Sequence, residues 1–403
     1  MGMTRAGTIA ACLILAIALF VLAGSVPAFA QQTREEEQAA ARAEKAKDLH
    51  PYVPTATERL IARAEQAFMN PPPVYVFLGS IFRGGWLAAG PGYRGSFKES
   101  GAFDMHAAWS LKNYKTADVS VKLPRFADGR FKVDARANWI DAPSVAFYGI
   151  GNDTRAAQKT SFLYRTTTAG FTGRFQPAPL VGIGGGVDAF LTDSGTGRRG
   201  TSIENLFSAA STPGFGSSPR YTRTRLFAEV DSRTSPGYTR TGGLYRLDWA
   251  DYHQTNNGAY GFRRLDAEAD HFIPLLRENW VIALRALMST TDVDPGHAVP
   301  YFLMPDLGGS SELRGYPSWR FRDRHRLLFT GEYRWMAGQF IDMALFLDAG
   351  KVAATRSDID LQDLRKTYGI GVRFHTPNAT AMRVEVAHTA EGLGIIVSFG
   401  QLF

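Results

Sequence analysis

Apolar and polar side chains alternate along residues 131–139, which read Phe-Lys-Val-Asp-Ala-Arg-Ala-Asn-Trp. Phe131, Trp139 and every second residue between them are apolar, whereas the residues at even positions are polar or charged. Successive side chains of a β-strand point to opposite faces of its sheet. This segment therefore predicts a strand with one apolar face and one ionic face.

The same alternation recurs after residue 73, at 103–112, 225–231, 245–249, 264–270 and 341–348. A soluble β-sandwich would also alternate, but its strands usually have about 5–6 residues. The candidate strands that contain these segments extend over about ten to fourteen residues. Tilted strands of about 9–11 residues are what crossing a bilayer requires, so the length favours transmembrane strands.

The connections between these segments are of two kinds. Compact turns are predicted at Asp128-Gly129, Pro236-Gly237 and Pro377-Asn378. Long connections rich in Gly, Ser, Thr or Asp lie near 143–161, 191–219, 291–325 and 353–366. Short periplasmic turns that alternate with longer surface loops are typical of bacterial outer-membrane barrels.

The number of candidate strands is even. We count eleven from Val74 to the connection near 291–325 and five after it, which predicts sixteen. An even number returns the C-terminus to the side of the membrane at which the barrel began. The predicted fold is an all-β, transmembrane antiparallel β-barrel of sixteen strands over residues 74–403, preceded by a short helical segment.

A barrel of this kind places its charged side chains in the lumen. An Arg or Lys that faces lipid at mid-bilayer costs about 2–4 kcal/mol. The alternation predicts six inward-facing charged residues: Arg136, Arg246, Arg264, Arg285, Glu332 and Asp348.

The terminal strand is predicted from Gly392 to Phe403. Alternation puts Ile395, Val397, Phe399 and Phe403 on one apolar face. A final Phe is the usual end of an exported barrel, so Phe399 and Phe403 are interpreted as the C-terminal barrel signature.

Residues 1–30 have the features of a secretory signal peptide. Arg5 supplies a positive n-region, residues 9–22 an apolar h-region, and Ala28-Phe29-Ala30 the form of a cleavage site. Cleavage there would remove Cys12, the single cysteine, so disulfides, thiol catalysis and Cys-zinc sites are excluded from the mature chain.

Residues 31–73 differ in composition from the rest and are predicted to form a periplasmic segment, helical or disordered. Thr55 and Glu58 have capping-box spacing. They predict a helix whose apolar stripe runs from Leu60 to Phe68 and which ends before the prolines at 71–73.

The composition indicates no site for catalysis, a cofactor or nucleic acid. The eight histidines are isolated and form no metal-binding pattern. The formal charge of +7 is spread along the chain without Lys/Arg runs, which argues against a nucleic-acid partner. We therefore predict a protein that is not an enzyme and holds neither a metal nor a cofactor.

Short motifs occur in order within and after the long connection near 291–325. They are Leu307-Gly308-Gly309, Leu313-Arg314-Gly315-Tyr316, Gly331-Glu332-Tyr333-Arg334, Phe346-Leu347-Asp348-Ala349-Gly350 and the ending Ser398-Phe399-Gly400-Gln401-Leu402-Phe403. This set resembles the surface-antigen barrel of the BamA and TamA superfamily, also called Omp85, in which an Arg-Gly-aromatic tip lies in the sixth surface loop. The resemblance covers residues 74–403.

The resemblance implies a lumenal loop. Its tip, Leu313, Arg314, Gly315 and Tyr316, would fold back into the barrel. Arg314 would then pair with Asp348, and Glu332 would lie nearby on the preceding strand. The chain departs from the family before residue 74, because residues 31–73 are too few for a POTRA module.

By resemblance, the protein is expected in the bacterial outer membrane, with the lipid bilayer and unfolded outer-membrane proteins or periplasmic proteins as partners. The implied role is assembly or translocation of outer-membrane proteins, with gating at the junction of the first and last strands. Two alternatives stay open from the sequence: a passive, porin-like channel for small solutes, and a structural surface antigen.

Overall fold

The computed structural model describes Thr55, Glu58, Arg59 and residues 72–403 except 99, 257, 276 and 277. The predicted signal peptide and the stripe from Leu60 to Phe68 lie outside the described residues. At the predicted helix start, the Thr55 N–H donates to Glu58 Oε2 at 2.7 Å and the Glu58 N–H donates to Thr55 Oγ1 at 3.3 Å. These are the two bonds of a capping box. In the described part of the chain, no helix is long and apolar enough to span a bilayer.

Residues from Pro71 to Phe403 form one compact unit, built on a single sheet of sixteen antiparallel strands. The strands of this sheet are β1 (Val74–Gly79), β2 (Ala88–Phe97), β3 (Gly101–Ser110), β4 (Lys115–Lys122), β5 (Phe131–Phe147), β6 (Thr160–Ala178), β7 (Val181–Thr196), β8 (Arg220–Asp231), β9 (Gly242–Gln254), β10 (Phe262–Leu275), β11 (Trp280–Asp292), β14 (His325–Gly338), β15 (Ile341–Ala353), β16 (Arg365–His375), β17 (Thr380–Thr389) and β18 (Gly392–Phe399). Two short strands, β12 (Asp306–Leu307) and β13 (Phe321–Arg322), pair with each other between β11 and β14. The predicted sixteen-stranded antiparallel barrel, with eleven strands before the long loop and five after it, is confirmed.

The two faces of the sheet differ as the alternation predicts. One face exposes apolar side chains such as Val76 on β1 and Leu247 on β9, which are 68% and 55% exposed. Charged residues occupy the opposite, inward face and pair across neighbouring strands. Arg136 Nε, for example, donates to Asp118 Oδ2 at 2.7 Å. The six charged residues predicted to face inward all lie on this face, and Arg264 and Arg285 donate to carbonyls of a loop inside the barrel.

The connections alternate between two ends of the barrel. At one end, called the surface end, lie the long loops 148–159, 197–219, 293–324 and 354–364. At the other, called the periplasmic end, lie turns such as 179–180, 339–340 and 376–379. Counted along the chain, residues 80–87 form the first surface-end loop and residues 293–324 form the sixth.

The sixth loop folds back into the lumen and supplies much of its core. Its single 3-10 turn, Tyr301–Leu303, is buried against the inner faces of β5 and β6. The Tyr301 ring lies 5.1 Å from that of Phe147 and 4.8 Å from that of Phe162, measured between ring centroids. An aromatic core therefore fills the surface end of the barrel.

The first and last strands are short, and they leave a seam between them. β1 has 6 residues and β18 has 8, whereas β6 has 19. Hydrogen-bonded pairing runs without a break from β1 to β18 through every neighbouring pair of barrel strands. Within the described residues, however, no backbone pairing joins β1 to β18.

The end of the chain departs from the predicted terminal strand. β18 ends at Phe399, whose side chain is 67% exposed on the outer face. Gly400 has a φ of +78° and turns the chain inward, so Phe403 is buried with its ring centroid 5.6 Å from that of Phe272. The prediction that Phe399 and Phe403 share one face is therefore wrong, because the left-handed turn at Gly400 breaks the alternation.

Candidate functional site

The tip of the sixth loop is pressed against the inner wall of the last strands. Leu313 and Gly315 have φ angles of +44° and +88°, so the backbone turns sharply on both sides of Arg314. A Cβ atom on Gly315 would lie 2.8 Å from Ala387 Cβ and 2.8 Å from Thr389 Cγ2. The motif therefore requires glycine here for its positive φ and for its close approach to β17.

Arg314 is fully buried and bound on every side of its guanidinium. Its Nε donates to Asp348 Oδ2 at 2.9 Å and its Nη2 donates to Asp348 Oδ1 at 2.8 Å, which makes a bidentate pair. Its Nη1 donates to Glu332 Oε1 at 2.5 Å and to Glu385 Oε1 at 3.0 Å. The guanidinium carbon lies 3.5 Å from the centre of the Phe346 ring, a cation–π contact.

Burial disfavours the charged form of Arg314, but the carboxylates of Asp348 and Glu332 outweigh this effect and raise the pKa of Arg314 above its ordinary value. The residue therefore stays charged within the barrel. Its backbone N–H also donates to Asp348 Oδ2, at 3.0 Å. One carboxylate thus holds both the side chain and the main chain of the loop tip.

Three further arginines complete this buried cluster. Glu332 accepts from Arg334 Nε and from Arg373 Nη2, both at 2.6 Å. Glu385 accepts from Arg383 Nη1 at 3.1 Å. The cluster thus holds four guanidinium groups, on Arg314, Arg334, Arg373 and Arg383, and three carboxylates. Such groups are tolerated when buried because each is paired.

Glycines of β16 make room for the partners of Arg314. A Cβ atom on Gly369 would lie 2.4 Å from Phe346 Cζ, and one on Gly371 would lie 2.7 Å from Glu385 Cγ. Because of this Gly-x-Gly spacing, two positions on the inner face of β16 carry no side chain. The aromatic and acidic side chains that contact Arg314 fill the space.

The other two residues of the tip motif are also buried. Leu313 packs in an apolar cluster with Leu307, Leu328 and Val352. Tyr316 lies 3% exposed in the same cluster, with its ring centroid 5.2 Å from that of Phe321. The structure thus brings Leu313, Arg314, Gly315, Tyr316, Glu332 and Asp348 together inside the barrel.

The first surface-end loop, residues 80–87, binds the sixth loop on the β1 side of the seam. Arg83 Nη2 donates to Asp306 Oδ1 at 2.5 Å, and its Nη1 donates to Glu312 Oε2 at 3.3 Å. The Trp319 indole N–H donates to the Arg83 carbonyl at 3.1 Å, and the guanidinium lies 4.0 Å from the centre of the indole. Burial raises the pKa of Glu312, but Arg326 and Arg83 outweigh this and lower it, so the carboxylate stays ionised.

The last strand touches the loop tip at Gly394. A Cβ atom on Gly394 would lie 2.9 Å from both the Cα and the carbonyl oxygen of Gly315. The sixth loop therefore lies behind the seam and contacts both sides: the residues that follow β1 through Arg83, and β18 through Gly394.

Sequence reasoning missed Arg83, Arg373, Arg383, Glu385 and Gly394 as parts of this site. Arg383 and Glu385 alternate with the apolar Met382, Val384 and Val386, so the parity that identified Asp348 could have found them. Arg83 lies in a loop without periodicity, and no sequence signal marks it.

We expect Gly394→Ala to push the loop tip away from β18. The added methyl group has no space beside the Gly315 backbone, and overpacking of this kind typically costs about 1–3 kcal/mol. Limited proteolysis of the folded barrel should cut the sixth loop faster than in the wild type. Gly331→Ala is the matched control, because its Cβ would meet only Leu284 Cδ2 at 3.9 Å. Equal digestion of the two variants would contradict the contact.

Among the described residues, no group of three or more His, Cys, Asp and Glu side chains could hold a metal ion. The acids of the cluster are instead bound by arginines. Their hydrogen bonds to Arg314 bind the tip of the sixth loop to the inner wall.

An even-stranded antiparallel barrel with an apolar exterior, an ionic interior and a loop inside its lumen defines an outer-membrane β-barrel. Residues 237–391 match the Omp85 superfamily domain. This part of the chain is thus similar to the Omp85 superfamily domain. No curated protein matches the chain.

Solved structures have the same fold. One is the crystal structure of BamA from Haemophilus ducreyi lacking POTRA domains 1–3. The match covers 84% of this chain and 76% of the BamA chain, with 13% identity and a TM-score of 0.60. CdiB from Acinetobacter baumannii matches 82% of this chain over 60% of its own, with 11% identity and a TM-score of 0.51. For CdiB from Escherichia coli, the match covers 78% of this chain and 58% of the CdiB chain, with 12% identity and a TM-score of 0.51. The chain thus spans less than two thirds of either CdiB.

Proposed function

We propose that this barrel assists the assembly of other proteins in the outer membrane or their translocation across it, through the seam between β1 and β18. The observation that carries the proposal is that, in the described part of the chain, no backbone pairing joins these two strands. Unpaired strand edges present N–H and C=O groups that cost several kcal/mol each in hydrocarbon. An incoming strand would satisfy these groups by adding to the exposed edge.

The short strands beside the seam support the same role. At about 3.3 Å per residue, the 6 residues of β1 extend over about 20 Å and the 8 residues of β18 over about 26 Å. The hydrocarbon core of a bilayer is about 30 Å thick. A barrel wall shorter than the bilayer thins it locally, which lowers the barrier to inserting a strand at that place.

The sixth loop would act as the internal support of the seam. It is bound to the wall of β14–β17 through Arg314, to β18 at Gly394, and to the segment after β1 through Arg83. The same loop fills the surface end of the lumen with its aromatic core, which weighs against a passive, porin-like channel. The expected partners are unfolded outer-membrane proteins. The chain itself would be exported by its signal peptide, which is then cleaved, and would fold in the outer membrane.

A reconstitution experiment tests this role. Proteoliposomes that contain the barrel should fold an unfolded outer-membrane protein faster than empty liposomes do. A client with one cysteine in its last strand should form a disulfide with Val76→Cys on β1, because the client strand would pair at this edge. Phe171→Cys is the control position, since Phe171 is 59% exposed on the outer face of β6, far from the seam in strand order.

Three outcomes would argue against the proposal. Folding at the rate of empty liposomes would remove the assembly role. Equal cross-linking of the client to Val76→Cys and to Phe171→Cys would mean that the client strand does not pair at the seam. A large steady conductance of the wild-type barrel in a planar bilayer would favour the passive channel instead.

A further inference from the structure

The connection between β8 and β9, residues 232–241, is longer than a reversal of the chain needs. At the same end of the barrel, residues 179–180 alone connect β6 to β7. The longer connection continues the β8–β9 hairpin, since the Ser232 N–H donates to the Gly243 carbonyl at 2.8 Å. It then reverses in a tight turn, where the Tyr238 N–H donates to the Ser235 carbonyl at 3.0 Å.

The tip of this connection docks on strands elsewhere in the barrel. The Thr380 N–H donates to the Gly237 carbonyl at 2.8 Å, and Ser235 Oγ donates to the Asn378 carbonyl at 3.4 Å. The Tyr238 ring is stacked on His375, with 4.1 Å between ring centroids. In the sheet, β9 and β16 are separated by β10, β11, β14 and β15. The connection therefore crosses the periplasmic end of the lumen.

A buried ion pair holds the connection in this position. Arg240 Nη1 donates to Asp342 Oδ2 at 2.8 Å, and the Tyr238 hydroxyl donates to the same oxygen at 2.9 Å. Asp342, at the start of β15, is 1% exposed, and Arg240 is 8% exposed. Loss of one partner of a buried pair strands the other charge, so this contact is a strong latch.

The end of the chain packs beside the connection. The Thr239 N–H donates to Gln401 Oε1 at 2.8 Å. Two residues later, Phe403 is buried with Phe272, Val281 and Ala283 of the inner wall. The connection and residues 400–403 thus occupy the periplasmic mouth together.

We propose that residues 232–241 are a strap that closes the periplasmic end of the lumen, with Arg240 and Asp342 as its latch. Above the strap, the inner wall carries ionic side chains that are open to water, such as Arg136, whose side chain is 66% exposed. Above these lies the aromatic core of the sixth loop. Release of the strap opens this ionic lumen to polar molecules of the periplasm, whichever activity the seam has.

A reporter cysteine tests the strap. Arg136→Cys is introduced in a chain without Cys12, and a bulky polar maleimide is added to the folded barrel in detergent. Labelling should be slow with an intact strap. Asp342→Asn should speed it about tenfold or more, as expected if the latch contributes at least about 1.4 kcal/mol to closure. Asp248→Asn is the control, because Asp248 pairs with Arg246 on the inner wall and does not touch the strap.

A second variant covers the case in which Asp342→Asn does not fold. Residues 234–240 are replaced by Asn-Gly, which favours a two-residue hairpin turn and removes the strap. This variant should label as fast as, or faster than, Asp342→Asn. Folding is checked by heat-modifiable gel mobility. A folded strap-less barrel that labels at the wild-type rate would overturn the proposal, and so would rapid labelling of the wild-type reporter.

Discussion

Arg314→Ala should release the sixth loop and lower the free energy of unfolding of the barrel by about 3–5 kcal/mol. The substitution removes the only cation that contacts Asp348 in the described structure and one of the partners of Glu332 and Glu385. Uncompensated carboxylates in a buried site are costly, so the loop tip should leave the wall to admit water. Limited proteolysis should then cut the sixth loop of the folded barrel, and a urea titration followed by gel mobility measures the loss.

Two further variants separate the buried pairing from charge alone. Arg314→Lys keeps the charge but cannot form the bidentate pair, so it should lie between the wild type and Arg314→Ala. Arg263→Ala removes two exposed pairs at the surface end, with Asp251 and Asp294. The Arg263 side chain is 51% exposed, so the substitution should cost less than about 1 kcal/mol. If Arg314→Ala digests like Arg263→Ala, the cluster does not hold the loop.

The barrel could be predicted from the sequence because its two environments leave a period of two. Lipid outside and ions inside constrain each position of a spanning strand, so segments such as 131–139 alternate over their whole length. The same alternation predicted that Glu332 and Asp348 face the lumen. The resemblance to a known barrel then placed Arg314 beside them, and the structure has these three residues in contact.

Features that depend on contacts between distant segments could not be predicted in this way. Alternation in β1 and β18 gives the orientation of their side chains but not whether the two strands pair. Pro236-Gly237 predicted a turn, which is present, but its docking depends on main-chain groups of Asn378 and Thr380, which lie far along the chain. A single left-handed glycine, Gly400, was enough to bury Phe403 instead of exposing it.

Glu332→Gln should destabilise the barrel by an amount similar to Arg314→Ala, for the opposite reason. Glu332 accepts hydrogen bonds from Arg314, Arg334 and Arg373. Without its charge, two carboxylates face four guanidinium groups in a buried cluster, and breaking a buried ionic group of this kind costs about 3–5 kcal/mol. The urea midpoint should fall accordingly. Glu268→Gln is the matched control, because Glu268 is 26% exposed and its main partner Arg285 also lies near Asp270.

The double variant distinguishes one cluster from two separate contacts. Arg314→Ala removes one of the excess cations that Glu332→Gln leaves unpaired, so the combined loss of unfolding free energy should be smaller than the sum of the single losses. Groups that share a buried network typically couple by about 0.5–3 kcal/mol. Losses that add within about 0.5 kcal/mol would mean that Arg334 and Arg373 hold Glu332 without help from the loop. Within the cluster, the loop tip would then depend mainly on the bidentate pair of Arg314 with Asp348.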